Sequence, residues 1–427
     1  MAKARELDHD MKMTKATNPR TPMKADIQTD ILIVGGGLVG GALACALAEG
    51  GFRVAVTDRA DPAAVLDAGF DGRASAIALG SQKVLDTLGL WRLMGETVTP
   101  IEDIRVTDRG SLLFLHYDHK ILGDEPFGYM VENRTLRQAL VRRLPDHDGV
   151  TVLAPAKVVH LERTPAAVRA RLADGREIEA RLVVGADGRA SQTRENAGIR
   201  LTQWSYNQTG IVCTVEHEKP HNNVAHEKFL PSGPFAILPL TGNRSSIVWT
   251  ERSDIAPLIM ALGEKEFLQE LGCRFGDFLG GLSVTGPRWA YPLSLQYAER
   301  SIDQRLALAG DSAHGMHPIA GQGLNMGLRD VAALAQVLTD ARRLGLDPGD
   351  GAVLERYQRW RRFDNTLMLA LTDVLNRLFS NANRPLALAR DMGLAAVNGA
   401  GPLKKVFMRH AMGQVGDLPR LMQGRPL

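Results

Sequence analysis

The run Ile31-Leu32-Ile33-Val34, followed at once by Gly35-Gly36-Gly37-Leu38-Val39-Gly40, constrains this chain more than any other stretch. Four consecutive branched apolar residues suit a strand buried on both faces. Glycines in the order GxGxxG then allow a tight turn at Gly35, close approach of backbone to a ligand at Gly37, and close packing of helix on strand at Gly40. Ala42 to Ala48 has helix-forming composition and stops at Gly50-Gly51, and Phe52 to Val56 is strand-like again. A strand, helix, strand unit around such a turn binds a dinucleotide, because the helix N-terminus offers free N–H groups and positive potential to a pyrophosphate. Asp58, eighteen residues past Gly40, ends the second strand where a carboxylate can accept from ribose hydroxyls, and Arg59 follows it. Gly35, Gly37, Leu38, Val39, Gly40, Asp58 and Arg59 are the first candidate cofactor residues. The alternative is a plain turn in an α/β core, with Asp58 opening a loop.

A chain of 427 residues is longer than one hydrophobic core usually sustains, so a second domain or a large insert is expected. Residues 1–25 are basic and aperiodic and read as a disordered tail. Strands are expected over Thr151 to Leu161, Val168 to Leu172 and Arg181 to Val184, with Ala173 to Arg176 as a hairpin turn. The region 205–290 is β-rich, with one helix near Leu258 to Leu271. Leu306 to Ala309 then returns to the first architecture, and helices follow over Asn325 to Ala341 and Val353 to Asn376. The expected division is a discontinuous dinucleotide-binding domain over 26–100, 126–204 and 291–364, a β-rich substrate domain over 101–125 and 205–290, and a C-terminal helical segment over 365–427.

Composition excludes several classes. With 51 basic and 48 acidic residues, the formal charge of +3 gives no electrostatic case for nucleic acid. Cys45, Cys213 and Cys273 are far apart, lack CxxC or His-rich surroundings, and read as reduced thiols rather than metal ligands. No stretch has the roughly 18 apolar residues needed to span a bilayer, and no signal-peptide core precedes the first strand. A cytoplasmic protein is expected, with peripheral contact to the inner membrane left open.

Two further segments carry a resemblance. Val183-Val184-Gly185-Ala186-Asp187-Gly188-Arg189-Ala190-Ser191 resembles the Asp-Gly motif of group A flavoprotein monooxygenases. Leu308-Ala309-Gly310-Asp311-Ser312-Ala313-His314, continuing through His317-Pro318, Gly321-Gln322-Gly323-Leu324-Asn325 and Gly327-Leu328-Arg329-Asp330, resembles their Gly-Asp motif. In this ordering it is similar to the ubiquinone-biosynthesis hydroxylases of that group. The likeness runs from about residue 28 to 380 and includes Asp71 to Ala76, Glu132 to Leu136 and Gly233 to Leu240.

The resemblance implies an α/β fold: a Rossmann-like FAD-binding domain of the p-hydroxybenzoate hydroxylase type, an inserted β-rich substrate domain and a C-terminal helical segment. It implies that Asp311 binds the ribityl or ribose part of FAD, and that Gly321, Gly323, Leu324 and Asn325 present N–H groups to the flavin pyrimidine edge, with Pro318 beside them. Arg73 and Arg134 would lie along the cofactor, or else form surface salt bridges. Asp187 and Gly188 would order the turn between the FAD phosphates and the nicotinamide approach, with an N-cap role as the bland reading of Asp187. Asp58 stands where many relatives carry Glu.

The implied activity is hydroxylation of the aromatic ring of a polyprenyl-phenol intermediate in ubiquinone biosynthesis, using O2 and NADH or NADPH as a transient co-substrate. The alternative is a hydroxylase, epoxidase or reductase acting on another aromatic or lipid substrate. A flavin-binding scaffold without turnover is a third reading. No catalytic residue is assigned: His314 and His317 either shape the loop or act as a base. Trp249, Pro239 and Phe235 either cover the flavin or belong to a sheet core. Leu367, Leu371, Val374 or Leu375, and Leu378 share a helical face, with Lys404, Lys405, Arg409 and His410 beyond. They form an interfacial anchor, or pack on the FAD domain or a sister subunit in a homo-oligomer. Other ubiquinone-biosynthesis proteins are further candidate partners.

Overall fold

A computed structural model describes residues 25–108, 114–315, 322–379, 398 and 400–427. The expected tail, Pro318 and Gly321, together with His317, lie outside the described residues.

The first strand β1 (Ile31–Val34) leads through the glycine turn into α1 (Leu38–Glu49) and then β2 (Val54–Thr57). Further along come β3 (Ala74–Ala78), β4 (Asp103–Asp108), β5 (Phe114–Asp118), β6 (Val150–Leu153) and β7 (Leu182–Gly185). Next are β8 (Leu201–His217), β9 (Val224–Leu230), β10 (Gly233–Leu240), β11 (Arg244–Arg252), α2 (Glu264–Phe275), β12 (Leu282–Ala298) and β13 (Leu306–Leu308). Three helices close the fold: α3 (Gln322–Arg343), α4 (Gly351–Phe379) and α5 (Gly401–Ala411).

In the six-stranded sheet β13, β7, β1, β2 and β6 lie side by side, all parallel, with Ile302–Asp303 on the edge. Its inner strands β13, β7, β1 and β2 are buried on both faces, which explains their nearly continuous apolar sequences, whereas the edge strand β6 is largely exposed. α1 is apolar all round because it sits between this sheet and α3: Ala42 to Leu47 are completely buried.

The eight-stranded sheet runs from His314–Gly315 through β12, β8, β11, β10, β9, β4 and β5. Strands from 103–118 therefore join those from 201–298 in one sheet, β4 pairing β9 in parallel. One face is covered by α2 and the short helix Ala256–Met260, and its core holds Ile211, Phe235, Ile247, Trp249, Phe267 and Phe275. Phe235 and Trp249 are cross-strand partners, fully buried there. Their reading as a flavin cover is corrected: they belong to the sheet core, on the face turned to α2, and Pro239 alternates onto the same face.

Two secondary-structure expectations also change. The helix expected over Leu258 to Leu271 is two helices, Ala256–Met260 and Glu264–Phe275, because Gly263 is extended and caps the second. The strand expected over Thr151 to Leu161 is likewise two, β6 and Val158–Arg163, which belong to different sheets. Pro155 between them has no N–H to give a ladder.

Candidate functional site

The glycine turn explains its own sequence. Gly35 has φ +104°, and a Cβ there would lie 2.4 Å from the Ala186 carbonyl oxygen. A Cβ on Gly40 would lie 1.8 Å from the Gly35 oxygen, so the first turn of α1 closes on the loop only without one. Gly37 is different: nothing lies within 4 Å of its Cβ position. It is the N-cap of α1, and among the described residues no side chain bonds the helix N–H groups. Leu38 and Val39 pack on the core, and Val39 fills the hollow left by Gly310 and Gly327.

Asp58 ends β2 as expected. One carboxylate oxygen accepts from the Gly36 N–H at 2.7 Å and the other from the Ala60 N–H at 2.7 Å, which fixes the carboxylate beside the glycine turn. Arg59 is exposed beside it. Asp187 accepts from the Ser191 hydroxyl and from the N–H and hydroxyl of Thr193, the latter two at 3.0 Å, so it orders the turn after β7, while Ser191 itself caps the short helix Gln192–Asn196. Gly188 in that turn has φ +81°. Buried Arg194 then ties this turn to the next, donating to the Arg189 and Ser312 carbonyls at 3.1 Å each.

Asp311 follows β13. Protein surrounds it, and that burial pushes its carboxyl above the ordinary 3.8, with His314 and Arg189 pulling the other way. Its surface is nevertheless open, so the side chain faces a cleft and not the core. Gly310 has φ +64° and donates to Asp330 at 2.9 Å. His314 Nε2 lies 2.6 Å from the same Asp330 oxygen, and Arg361 Nε donates to the other at 2.7 Å. Burial alone would raise the Asp330 carboxyl, but His314 and Arg361 outweigh it and hold it at about 2. His314 thus shapes the loop. Arg361 and Asp364, which extend the cluster through a 2.7 Å bond, carried no motif signal.

Gly323, Leu324 and Asn325 lie in the first turn of α3. The Asn325 amide accepts from the Ala78 N–H and donates to the Ala76 carbonyl, both at 2.9 Å, and so fastens α3 to the edge of β3. Leu324 packs on the core, and open space surrounds Gly323.

Arg73 and Arg134 do not sit on a free surface. Arg73 holds Asp71 at 2.6 Å and lies 5.0 Å from the Trp289 ring centre, while the Trp289 indole donates to the Asp71 carbonyl. Arg134 and Arg244 both hold Glu132, at 3.0 and 3.1 Å, with Phe70 packed against both guanidinium groups. These residues form the seam between β3 and the eight-stranded sheet. There one sheet face presents the partly open residues Val212, Leu238 and Val248, of which Leu238 packs with Ala74 and Ala76.

An open helix N-terminus, a carboxylate at the end of β2, a second in a cleft after β13 and a seam walled by sheet residues suit a long, bent dinucleotide. They define a flavoprotein site for FAD. Residues 28–365 match the family described as FAD binding domain. The ubiquinone hydroxylase UbiL of Rhodospirillum rubrum is 59% identical over 415 residues, 96% of each chain. The 3-demethoxyubiquinol 3-hydroxylase of Escherichia coli is 38% identical, covering 90% of this chain and 98% of its own. Among solved structures, p-nitrophenol 4-monooxygenase PnpA from Pseudomonas putida superposes with a TM-score of 0.76 at 20% identity, over 90% of this chain and 98% of its own, which shows the shared fold. The chain belongs to this FAD-binding family and, within it, to the ubiquinone-biosynthesis FAD monooxygenases.

Among the described residues no group of three or more His, Cys, Asp or Glu side chains could hold a metal ion. Cys45 and Cys213 are buried free thiols, pushed up to about 12 by burial, and Cys273 is exposed.

Proposed function

We propose that this enzyme hydroxylates the ring of a polyprenylated phenol, which it takes up beside a membrane, with NADH or NADPH binding only briefly. The supporting observation is the packing of Leu238 with Ala74 and Ala76 across the seam, on the sheet face that the partly open Val212 and Val248 share. An aromatic ring suits such walls. Gly37 with the α1 N-terminus, Asp58, and Asp311 would hold the pyrophosphate, ribose and ribityl parts of FAD. Bound FAD would carry electrons from NAD(P)H to O2, one oxygen atom of which enters the ring while the other leaves as water. The chain's own residues orient the ring and keep water away from it.

No helix among the described residues is long and apolar enough to cross a membrane. On α4, Leu367 and Val374 are 44% and 58% exposed and Phe363 is 71% exposed, as is Val406 on α5 at 54%; the side chains of Leu371 and Leu375 lie outside the described residues. Lys404, Lys405 and Arg409 lie on α5, which reaches α4 through His410 against Met368. Apolar and basic residues together suit an anionic bilayer surface.

The quinone profile of a host lacking this protein tests the reading. A prenylated phenol short of one ring hydroxyl should accumulate, and wild-type protein should clear it while Asp311→Ala does not. An unchanged quinone pool with no intermediate would refute the assignment and direct attention to another aromatic or lipid substrate.

A further inference from the structure

We propose that the carboxylate of Glu227 is the acceptor that anchors the substrate's phenolic hydroxyl, and thereby sets which ring carbon is presented to the flavin. This rests on the ring-hydroxylase reading above.

Glu227 lies in β9, where alternation decides its direction. Its neighbours point to the covered face: Lys228 donates to the carbonyls of Arg274 and Phe275 at the end of α2, and the His226 ring packs on Phe278. Glu227 therefore shares the opposite face with Ala225, which packs among Leu238, Ile104 and Tyr117 near Ala74 and Ala76. Cross-strand register extends that placement. Glu227 pairs Ala236, Ala236 pairs Val248, Val248 pairs Val212, and Val212 pairs Trp289. The row spans four strand spacings, about 19 Å, and ends on the indole that holds the Asp71–Arg73 turn. Glu227 thus stands in the partly open wall that faces the FAD half.

Its environment is that of a carboxyl waiting for a donor. Protein encloses it closely enough that burial lifts it to about 7, yet it is not fully covered. No hydrogen bond or ion pair reaches it among the described residues, and burial is the sole cause of its shift. Titratable groups on neighbouring elements are Asp108 on the paired strand β4, Tyr117 on β5 and His410 on α5, with His226, Lys228 and Arg105 on the far face of the sheet. An enclosed carboxyl without a partner is costly to keep. A phenol hydroxyl entering this wall would satisfy it, and a hydrogen bond to a carboxylate is among the stronger kinds.

The test uses purified holoenzyme with a phenol carrying a short prenyl chain and with its O-methyl ether. Flavin content, KM, kcat and hydroxylated product per NAD(P)H consumed are measured for wild type, E227L and E227Q. E227L should keep its flavin but lose about 10- to 100-fold in kcat/KM and divert NAD(P)H to peroxide, whereas E227Q, whose amide oxygen still accepts, should stay within about fivefold. Wild type should bind the ether at least about tenfold more weakly than the phenol, a comparison independent of how any variant folds. E227L with unchanged kcat/KM and coupling, or equal binding of ether and phenol, would overturn the assignment. Wild type that neither binds nor hydroxylates any prenylphenol would instead bring down the ring-hydroxylase reading, and the role of Glu227 with it.

Discussion

His314 and Asp330 meet at 2.6 Å in a place where neither has measurable contact with solvent beyond 1%. The same carboxylate holds the Gly310 N–H and the Arg361 guanidinium, so one side chain fixes both the turn that carries Asp311 and the start of the helical layer.

Removing it should be severe. Asp330→Ala takes one of its two carboxylates from the buried Arg361, which keeps Asp364, and leaves the His314 ring and the Gly310 N–H without their acceptor, a loss of about 3–5 kcal/mol. Chemical denaturation should show it, and Asp330→Asn should lose less because an amide oxygen still accepts from Gly310.

The two glycines of the first turn should separate folding from cofactor binding. Gly40→Ala places a methyl group against the Gly35 carbonyl and should destabilise apoprotein and holoprotein alike. Gly37→Ala meets no protein atom, so the melting temperature of the apoprotein should hold while FAD affinity, followed by fluorescence quenching, falls.

Arg73→Ala should weaken FAD retention about tenfold by loosening the Asp71–Arg73 turn from Trp289. Dialysis against increasing salt with flavin absorbance as readout measures this. Arg73→Lys should recover only part of the loss, because an ammonium group cannot reproduce the paired contact of the guanidinium.

Two neighbours on one strand should oppose each other in acid. Burial holds His226 at about 4 against an ordinary 6.5, so the unfolded chain binds its proton first and stability from this group rises with pH between those values. Burial raises Glu227 from 4.5 to about 7, so the folded chain keeps that proton longer and stability from this group falls as pH rises between them. The slopes cancel in part from about pH 4.5 to 6.5. E227Q should unmask the histidine: its denaturation midpoint should rise with pH across that window more steeply than that of wild type.

The dinucleotide unit was legible because its chemistry is local: the Gly35 to Gly40 turn, the apolar strand before it and Asp58 after it are set by sequence neighbours. The faces of the large sheet were not. Phe235 and Trp249 read equally as core or flavin cover, and only the packing of α2 decides between them. Glu227 went unnoticed for the same reason, although alternation in Val224–Leu230 already places a charge on the face of Ala225 and Phe229. Arg361 lies 31 residues beyond Asp330 on the next helix, and pairing over that distance leaves no local pattern.

β8 and β12 pair from Leu201 with Ala298 to His217 with Leu282, so one two-stranded ribbon begins beside the FAD layer and ends at the far end of the substrate sheet. Strands of 17 residues reach roughly 55 Å when straight, and these two shift register between Ser205 and Gln208 and between Val212 and Thr214. The ribbon ties the two halves together without a break in the chain pairing larger than a bulge, so the entry of a long-tailed substrate and a passing nicotinamide falls to the loops and helices around it.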